Sequence, residues 1–232
     1  MVSVNRSALP APEVKADVVE AMFDRIAPRY DLINCIITLG LDVRWRRRAV
    51  AALGLPRGSA VADLACGTGD FCNELLRSGH RPTGFDFSQR MLDMARTAAP
   101  LRRADILDLP LEGASVDGVT CGFALRNVTD IDRCLAEMTR VIRPGGRVAI
   151  LEVAVPSNPI LRAGHSLYFR HVVPLIGGLL SDRRAYRYLP SSTAYLPPPE
   201  RLLDMMRRAG FERVRRERLG LGAAQLLLGT RS

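Results

Sequence analysis

Ten residues at positions 61–70, VADLACGTGD, restrict what this chain can fold into more than any other stretch. A short apolar run carries an acidic residue, Asp63, and leads into Cys66-Gly67-Thr68-Gly69, after which helix formers run from 71 to 77. The pattern predicts a strand, a tight glycine turn and a helix. Gly67 and Gly69 permit positive φ and close approach of the backbone to a ligand, and a helix opening at Asp70 offers unpaired N–H groups at the turn. Such a turn suits a nucleotide-like group.

Two ligand classes use a turn of this kind. A dinucleotide site needs GxGxxG and a helix N-terminus open to pyrophosphate. Here position 72 is Cys, and Asp70 at the helix start repels phosphate, which counts against a nicotinamide-dependent oxidoreductase. A ligand without phosphate fits better. S-adenosylmethionine (SAM) carries a cationic sulfonium and an ammonium group, both attracted by Asp63 and Asp70, while its carboxylate can meet backbone N–H groups. The stretch resembles the first motif of class I SAM-dependent methyltransferases.

The rest of the chain alternates strand and helix patterns around this turn. Before it, apolar positions at helical spacing predict helices over 18–26 and 45–53, the first ended by Pro28. Residues 1–55 are thus an arm and helices covering the active site, and 56–232 the core. After the turn, strands are expected at 82–86, 101–104, 116–123 and 147–153, with Ser88 and Asp130 capping helices and Pro144-Gly145-Gly146 forming a turn. Asp86 closes the second strand 19 residues beyond Gly67, where an acidic side chain can accept hydrogen bonds from ribose hydroxyls. Asp105, after the third strand, is placed to meet an adenine amino group; capping its own loop is the alternative. The prolines within 154–198 mark a lid-like insertion, and 211–219 with 223–229 read as an antiparallel edge hairpin. The alternation means a doubly wound, mostly parallel sheet with helices on both faces.

Charge and cysteine usage bound the setting. The net charge is +9 and the pI ≈ 10.0, with arginine clusters at 44–48 and 213–218. This leaves open a solvated basic surface, peripheral contact with an anionic membrane, or nucleic-acid binding, although no aromatic-interleaved RNA motif supports the last and no nucleic acid is expected. Five cysteines without CxxC spacing support neither a disulfide framework nor zinc, and imply a reducing cytoplasm. The longest strongly apolar run, at 172–180, is far short of the roughly 20 residues that span a bilayer. A cytoplasmic protein, peripheral at the inner face of the membrane at most, is expected.

Four stretches carry a closer resemblance: MFDRIAPRYDLIN at 22–34, LGL at 39–41 with Trp45-Arg46-Arg47, Phe123 with LRNVTD at 125–130, and YRYL at 186–189. Here the chain resembles the C-methyltransferases of ubiquinone and menaquinone biosynthesis. The resemblance implies a Rossmann-like class I methyltransferase with a seven-stranded sheet, SAM as cofactor, and a demethylated prenylated quinol as acceptor; the histidine spacing, separately, argues against a metal-dependent mechanism. It also implies SAM contacts at Thr68, Asp86, Asp105, Ile106 and Gly122. With the turn residues, the candidate cofactor set is Asp63, Gly67, Thr68, Gly69, Asp86, Phe87, Asp105, Ile106 and Gly122. The chain departs from the family pattern at Gly122, at Ala124 and over 220–226. A natural-product methyltransferase acting on a small aromatic or polyketide is therefore a second reading. Either a monomer or a homodimer is allowed.

Methylation of a quinol carbon requires the ring to be positioned, oxyanion character to be stabilised and a proton to be removed. Arg126 is a permanent cation suited to a phenolate, Asn127 can orient a ring oxygen or a water, and Tyr30 can touch the same oxygen or cover SAM. Bracing of the loop is the alternative for Arg126, and core packing for Tyr30. His80, His165 and His171 have no metal-ligand spacing; His165 and His171, in the lid, are candidate bases or packing residues.

Overall fold

The computed structural model describes residues 15–180 and 192–232. The expected N-terminal arm and the YRYL stretch lie outside the described residues. Seven strands form one sheet in the order β3-β2-β1-β4-β5-β7-β6. They are β1 (Ala60–Leu64), β2 (Arg81–Asp86), β3 (Leu101–Arg103), β4 (Val116–Gly122), β5 (Ile142–Val153), β6 (Phe211–Leu219) and β7 (Ala224–Arg231). The first five pair in parallel, whereas β7 runs antiparallel to both β5 and β6. The C-terminal hairpin thus occupies one edge with β6 outermost.

Alternation along the central strands divides the core into two layers, because successive side chains point to opposite faces. Ala62, Leu64, Val148, Ile150 and Leu227 bury on the face that carries α6 (Ile131–Val141) and α9 (Pro199–Arg208). Val61, Ala149, Leu151, Leu226 and Leu228 bury on the other, against α3 (Leu41–Leu53) and α4 (Asp70–Arg77). Burial on both faces explains why these strands read as continuous apolar runs.

One local expectation changes. Pro144 to Gly146 do not precede β5 but lie within it, as a bulge: Val116 pairs with Ile142 and Gly118 with Arg147, so extra residues on β5 loop out. The first helix stops at Ile26, just before Pro28, as expected. A single 3₁₀ turn, Ala27–Arg29, joins α1 (Lys15–Ile26) to α2 (Tyr30–Thr38), with proline at a first-turn position where its missing N–H costs nothing. The lid-like insertion is helical: α7 (Pro159–Leu167) runs through a π-helical stretch (Tyr168–Val172) into α8 (Val173–Leu180), which packs on α2. No described helix is long and apolar enough to cross a membrane.

The turn after β1 has the expected form. Gly67 and Gly69 have φ of 55° and 88°, and Gly69 is the residue that opens α4. A Cβ on Gly69 would lie 2.7 Å from Thr97 Cγ2. Gly69→Ala combines that clash with an unfavourable left-handed backbone, and is expected to cost about 2 kcal/mol. At this size that lowers the melting temperature by roughly 4–8 °C. A scanning-calorimetry melt within 1 °C of wild type would show that the turn relaxes instead.

Candidate active site

The sheet order reverses between β1 and β4, whose carboxyl ends open the crevice where such sheets hold ligands. Two non-glycine residues with positive φ stand at this point, Ala65 (52°) after β1 and Phe123 (57°) after β4. Backbone held in this sparsely populated region marks a constrained site. Three cavities meet here. Tyr30 and Phe123 line all three.

The first cavity, ≈ 170 Å³, lies over the ends of β1, β2 and β4 beneath α1. Gly67, Asp86, Phe87, Asp105, Ile106 and Gly122 line it, as does Asn127. Asp86 is 5% exposed, and its two oxygens accept from Gly67 N at 2.8 Å and Ser88 N at 2.9 Å. Burial raises its pKa, and these backbone donors oppose the rise. Asp105 accepts from Leu107 N within its own loop at 2.9 Å and still faces the cavity. The cover is latched to this floor. Ser88, which caps the helix Gln89–Asp93, donates from its hydroxyl to Asp24 of α1 at 2.6 Å, and Thr68 donates to Asp31 of α2.

A smaller third cavity continues past the glycine turn and is lined by Asp63, Thr68, Asp70 and Arg46. Asp63 is fully buried, accepts from Thr120 Oγ1 at 2.8 Å and from Cys72 Sγ at 3.4 Å, and burial pushes its pKa up to about 7. Asp70 is already paired, with Arg46 Nη2 3.0 Å away, and Arg46 Nη1 also binds Asp42 at 2.5 Å. Gly69 lines none of the three cavities; its part is the backbone of the turn.

The second cavity, ≈ 250 Å³, lies between α2, α3 and the lid. Its walls are mainly apolar and aromatic, with Ile37, Trp45, Phe123, Tyr168, Phe169 and Val173 among them. Arg126 and Arg46 bring guanidinium groups to it, and Tyr30 separates it from the first cavity. Burial raises the pKa of the Tyr30 hydroxyl, with a hydrogen bond to Asn34 acting in the opposite sense.

Residues 11–231 match the ubiE/COQ5 methyltransferase family. The chain belongs to that family. It is 46% identical to the demethylmenaquinone methyltransferase of Roseiflexus sp., over 97% of this chain and 98% of that protein. It is 43% identical to the demethylmenaquinone methyltransferase of Deinococcus radiodurans, over 99% of each chain. A SAM-dependent methyltransferase from Thermotoga maritima shares the fold, with a TM-score of 0.65 over 91% of this chain and 99% of that one at 22% identity. The protein is a SAM-dependent methyltransferase.

The residues present fit SAM. Among the described residues, the charged side chains lining the methyltransferase's first cavity are Asp86 and Asp105, with no arginine or lysine to meet a pyrophosphate. The third cavity carries carboxylates beside one guanidinium, a match for a group bearing both an ammonium and a carboxylate.

Several residues of this site escaped the sequence reading. Arg46 stands in an arginine cluster that reads as a surface patch, yet it is buried and ion-paired. Its neighbours are paired too, Arg47 with Glu74 at 3.5 Å and Arg48 with Glu217 at 2.8 Å. Glu152 is hidden in the apolar run of β5, fully buried. It accepts from Arg126 Nη1 at 2.6 Å and from Arg126 N at 3.2 Å. Arg126 Nη1 also donates to Phe123 O at 2.5 Å, and its Nε to Ser192 Oγ at 3.1 Å. The bracing role is therefore built into Arg126 whatever else it does. Nor does the structure bring Arg126 and Asn127 together at one cavity, since Arg126 lines the second and Asn127 the first.

Removing one partner of this buried pair leaves an uncompensated charge, so Arg126→Ala is expected to cost about 3–5 kcal/mol of stability. Arg126→Lys, which keeps a cation opposite Glu152, should lose less. Urea denaturation of both variants checks this; equal midpoints for Arg126→Ala and wild type would show that Glu152 is held by other groups.

Proposed function

We propose that this methyltransferase C-methylates a demethylated prenylated quinol of the demethylmenaquinol type in respiratory quinone biosynthesis. The observation that carries this reading is the meeting, at Tyr30 and Phe123, of a cavity that presents the carboxylates of Asp86 and Asp105 and a larger one walled mainly by apolar and aromatic side chains. The names of relatives at 43–46% identity over nearly the whole chain support it. When bound, SAM supplies an activated methyl group on a cationic sulfur.

The chain's own residues have separable tasks in this reading. Asp86 would accept hydrogen bonds from the ribose hydroxyls with lone pairs not used by Gly67 and Ser88, and Phe87, Asp105 and Ile106 would hold the adenine. Gly67, Thr68 and Gly122 shape the passage to the methionine end, where Asp63 and Asp70 answer positive charge. The quinol ring lies in the second cavity beside Tyr30, with the Arg126 guanidinium near an oxygen that gains negative charge. There a cation in a water-poor site lowers the cost of forming a phenolate. Asn127 lines the cofactor side and orients the loop between the two ligands.

A prenylated substrate has to be collected from a membrane, and contact is peripheral in this proposal. The 44–48 cluster contributes little net charge because three of its arginines are paired. The outer strand β6 carries Arg213, Arg215, Arg216 and Arg218 beside Glu212 and Glu217, with Arg215 3.6 Å from Glu217, and its net excess of two arginines makes it the anionic-surface candidate, at about 1 kcal/mol per unpaired arginine. Recovery on anionic vesicles should fall as salt is raised, while recovery on neutral vesicles stays low; equal recovery on both would remove this contact.

The test of the activity is methylated product from demethylmenaquinol and SAM, read by mass spectrometry, together with SAM affinity by calorimetry. Asp86→Ala removes charge-assisted hydrogen bonds to ribose and the tether of the glycine turn, and should weaken SAM binding by roughly 1.5–3 kcal/mol. Wild-type enzyme that binds NAD and gives no SAM signal would overturn the cofactor placement. Turnover of small phenols but not of demethylmenaquinol would favour the natural-product reading.

A further inference from the structure

Beside the second cavity lies a polar atom that no described residue satisfies. His165, on α7, lines this cavity, and its Nε2 is buried without a hydrogen-bond partner among the described residues. Most buried polar atoms are satisfied, and one left open in a cavity wall calls for a ligand that satisfies it. The ring is held in place from behind. It stacks on Phe169 with centroids 4.4 Å apart and planes 29° apart, Phe169 packs edge-on against Tyr168 at 5.9 Å, and the Tyr168 hydroxyl donates to Ile37 O at 2.9 Å. The imidazole is thus anchored through the lid to α2, the helix that begins with Tyr30.

Among the described residues, the other ionisable groups facing the cavity are Tyr30, Asp42, Arg46, Arg126 and Tyr168. None of them is free to act as a base at neutral pH. Asp42 is bound to Arg46 and accepts from Thr38 Oγ1 at 2.7 Å. The arginines are permanent cations. Burial raises both tyrosine hydroxyls, which keeps them protonated. Burial moves His165 the other way, below the usual imidazole range, so that the neutral ring with an available lone pair persists at physiological pH.

We propose that His165 Nε2 is the proton acceptor for the quinol hydroxyl, with Arg126 and Arg46 favouring the anion and the lid imidazole taking the proton. The assignment rests on reading the second cavity as the quinol site. The quinol O–H bond breaks and an N–H bond forms at Nε2, leaving the electron pair on oxygen and, by delocalisation, on the adjacent ring carbon. That carbon forms the new C–C bond to the methyl as the C–S bond breaks with its pair going to sulfur. The ring carbon then loses its hydrogen to solvent, the imidazolium returns its proton to the oxygen, and one proton is released overall.

The test compares wild type, H165Q and H165A in full-length enzyme, with SAM affinity and melting temperature measured on the same preparations. H165Q should bind SAM as wild type does and lose about 10²-fold or more in kcat with little change in KM, the usual scale of general-base catalysis. In wild type, kcat/KM should fall on acidification through a value below about 6.5, the ordinary histidine pKa, because the base must be neutral. That limb should vanish in H165Q. Added imidazole should restore part of the H165A rate. Independently of turnover, the His165 ring signal, identified by NMR through its loss in H165Q, should titrate below the ordinary value. Unchanged kcat in H165Q, a rise in KM alone, or a ring that stays protonated above neutral pH would each overturn the assignment. No product from wild type with demethylmenaquinol would overturn the quinol reading and this step with it, whereas product formed equally by wild type and H165Q overturns this step alone.

Discussion

One buried ion pair ties together more walls of the site than any other contact described above. Glu152, at the end of β5, accepts from Arg126 and from Val153 N at 2.8 Å, and Arg126 in turn binds Phe123 O and Ser192. The carbonyls of Arg126 and Val128 accept from Lys15 of α1 at 3.0 and 2.8 Å. Sheet, loop, cover helix and the segment after the lid therefore converge on one carboxylate. Desolvating such a pair is expensive, and an apolar replacement of similar volume is often as stable. Here the return is geometric: Phe123, at the junction of all three cavities, is held in a left-handed conformation by a carbonyl tied to that network.

Charge at the junction follows the same pattern of strong pairs in few places. Arg46 joins Asp42 and Asp70 while lining two cavities, and its guanidinium lies 5.9 Å from the centre of the Phe123 ring. A cation fixed between two carboxylates cannot swing out to follow a ligand. Its orientation is set before any ligand arrives, which reduces what must be reorganised on binding. Asp63, by contrast, is hydrogen-bonded by a hydroxyl and a thiol, feels Arg46 only at a distance, and burial pushes its pKa up to about 7.

The parts of the fold that are local in sequence were legible in it. The strand, glycine turn and helix at 60–77 declare themselves through residue type, and Asp86 through its spacing from Gly67. Ser88 and Asp130 cap the helices expected of them, because an N-cap acts on a backbone N–H three residues away. What escaped depends on partners distant in sequence. Arg46 looks like its arginine neighbours until Asp70 is folded against it, and Glu152 looks like an interruption in a strand until Arg126 reaches it from 26 residues away. The insertion of β7 between β5 and β6 is a pairing choice, invisible to a pattern read along one strand. His165 was legible only as a residue type in the lid, because an unsatisfied atom is defined by everything that surrounds it.

Lys15 is the one lysine in the chain, and it is 5% exposed. Its ammonium lies 3.9 Å from the centre of the Tyr195 ring, and burial lowers its pKa to about 8. A side-chain amine that is easily deprotonated yet shielded has an unusual consequence. With α1 seated, an acylating reagent cannot reach it; once α1 lifts, it becomes the chain's one accessible lysine, and the burial that lowered its pKa is gone, so its reactivity returns to that of an ordinary surface amine. Acylation would then cancel the charge that lets it grip the Arg126 and Val128 carbonyls, so the lifted cover could not reseat. The opening of the cofactor cavity is in this sense recorded chemically at one atom, with no other lysine to blur the signal.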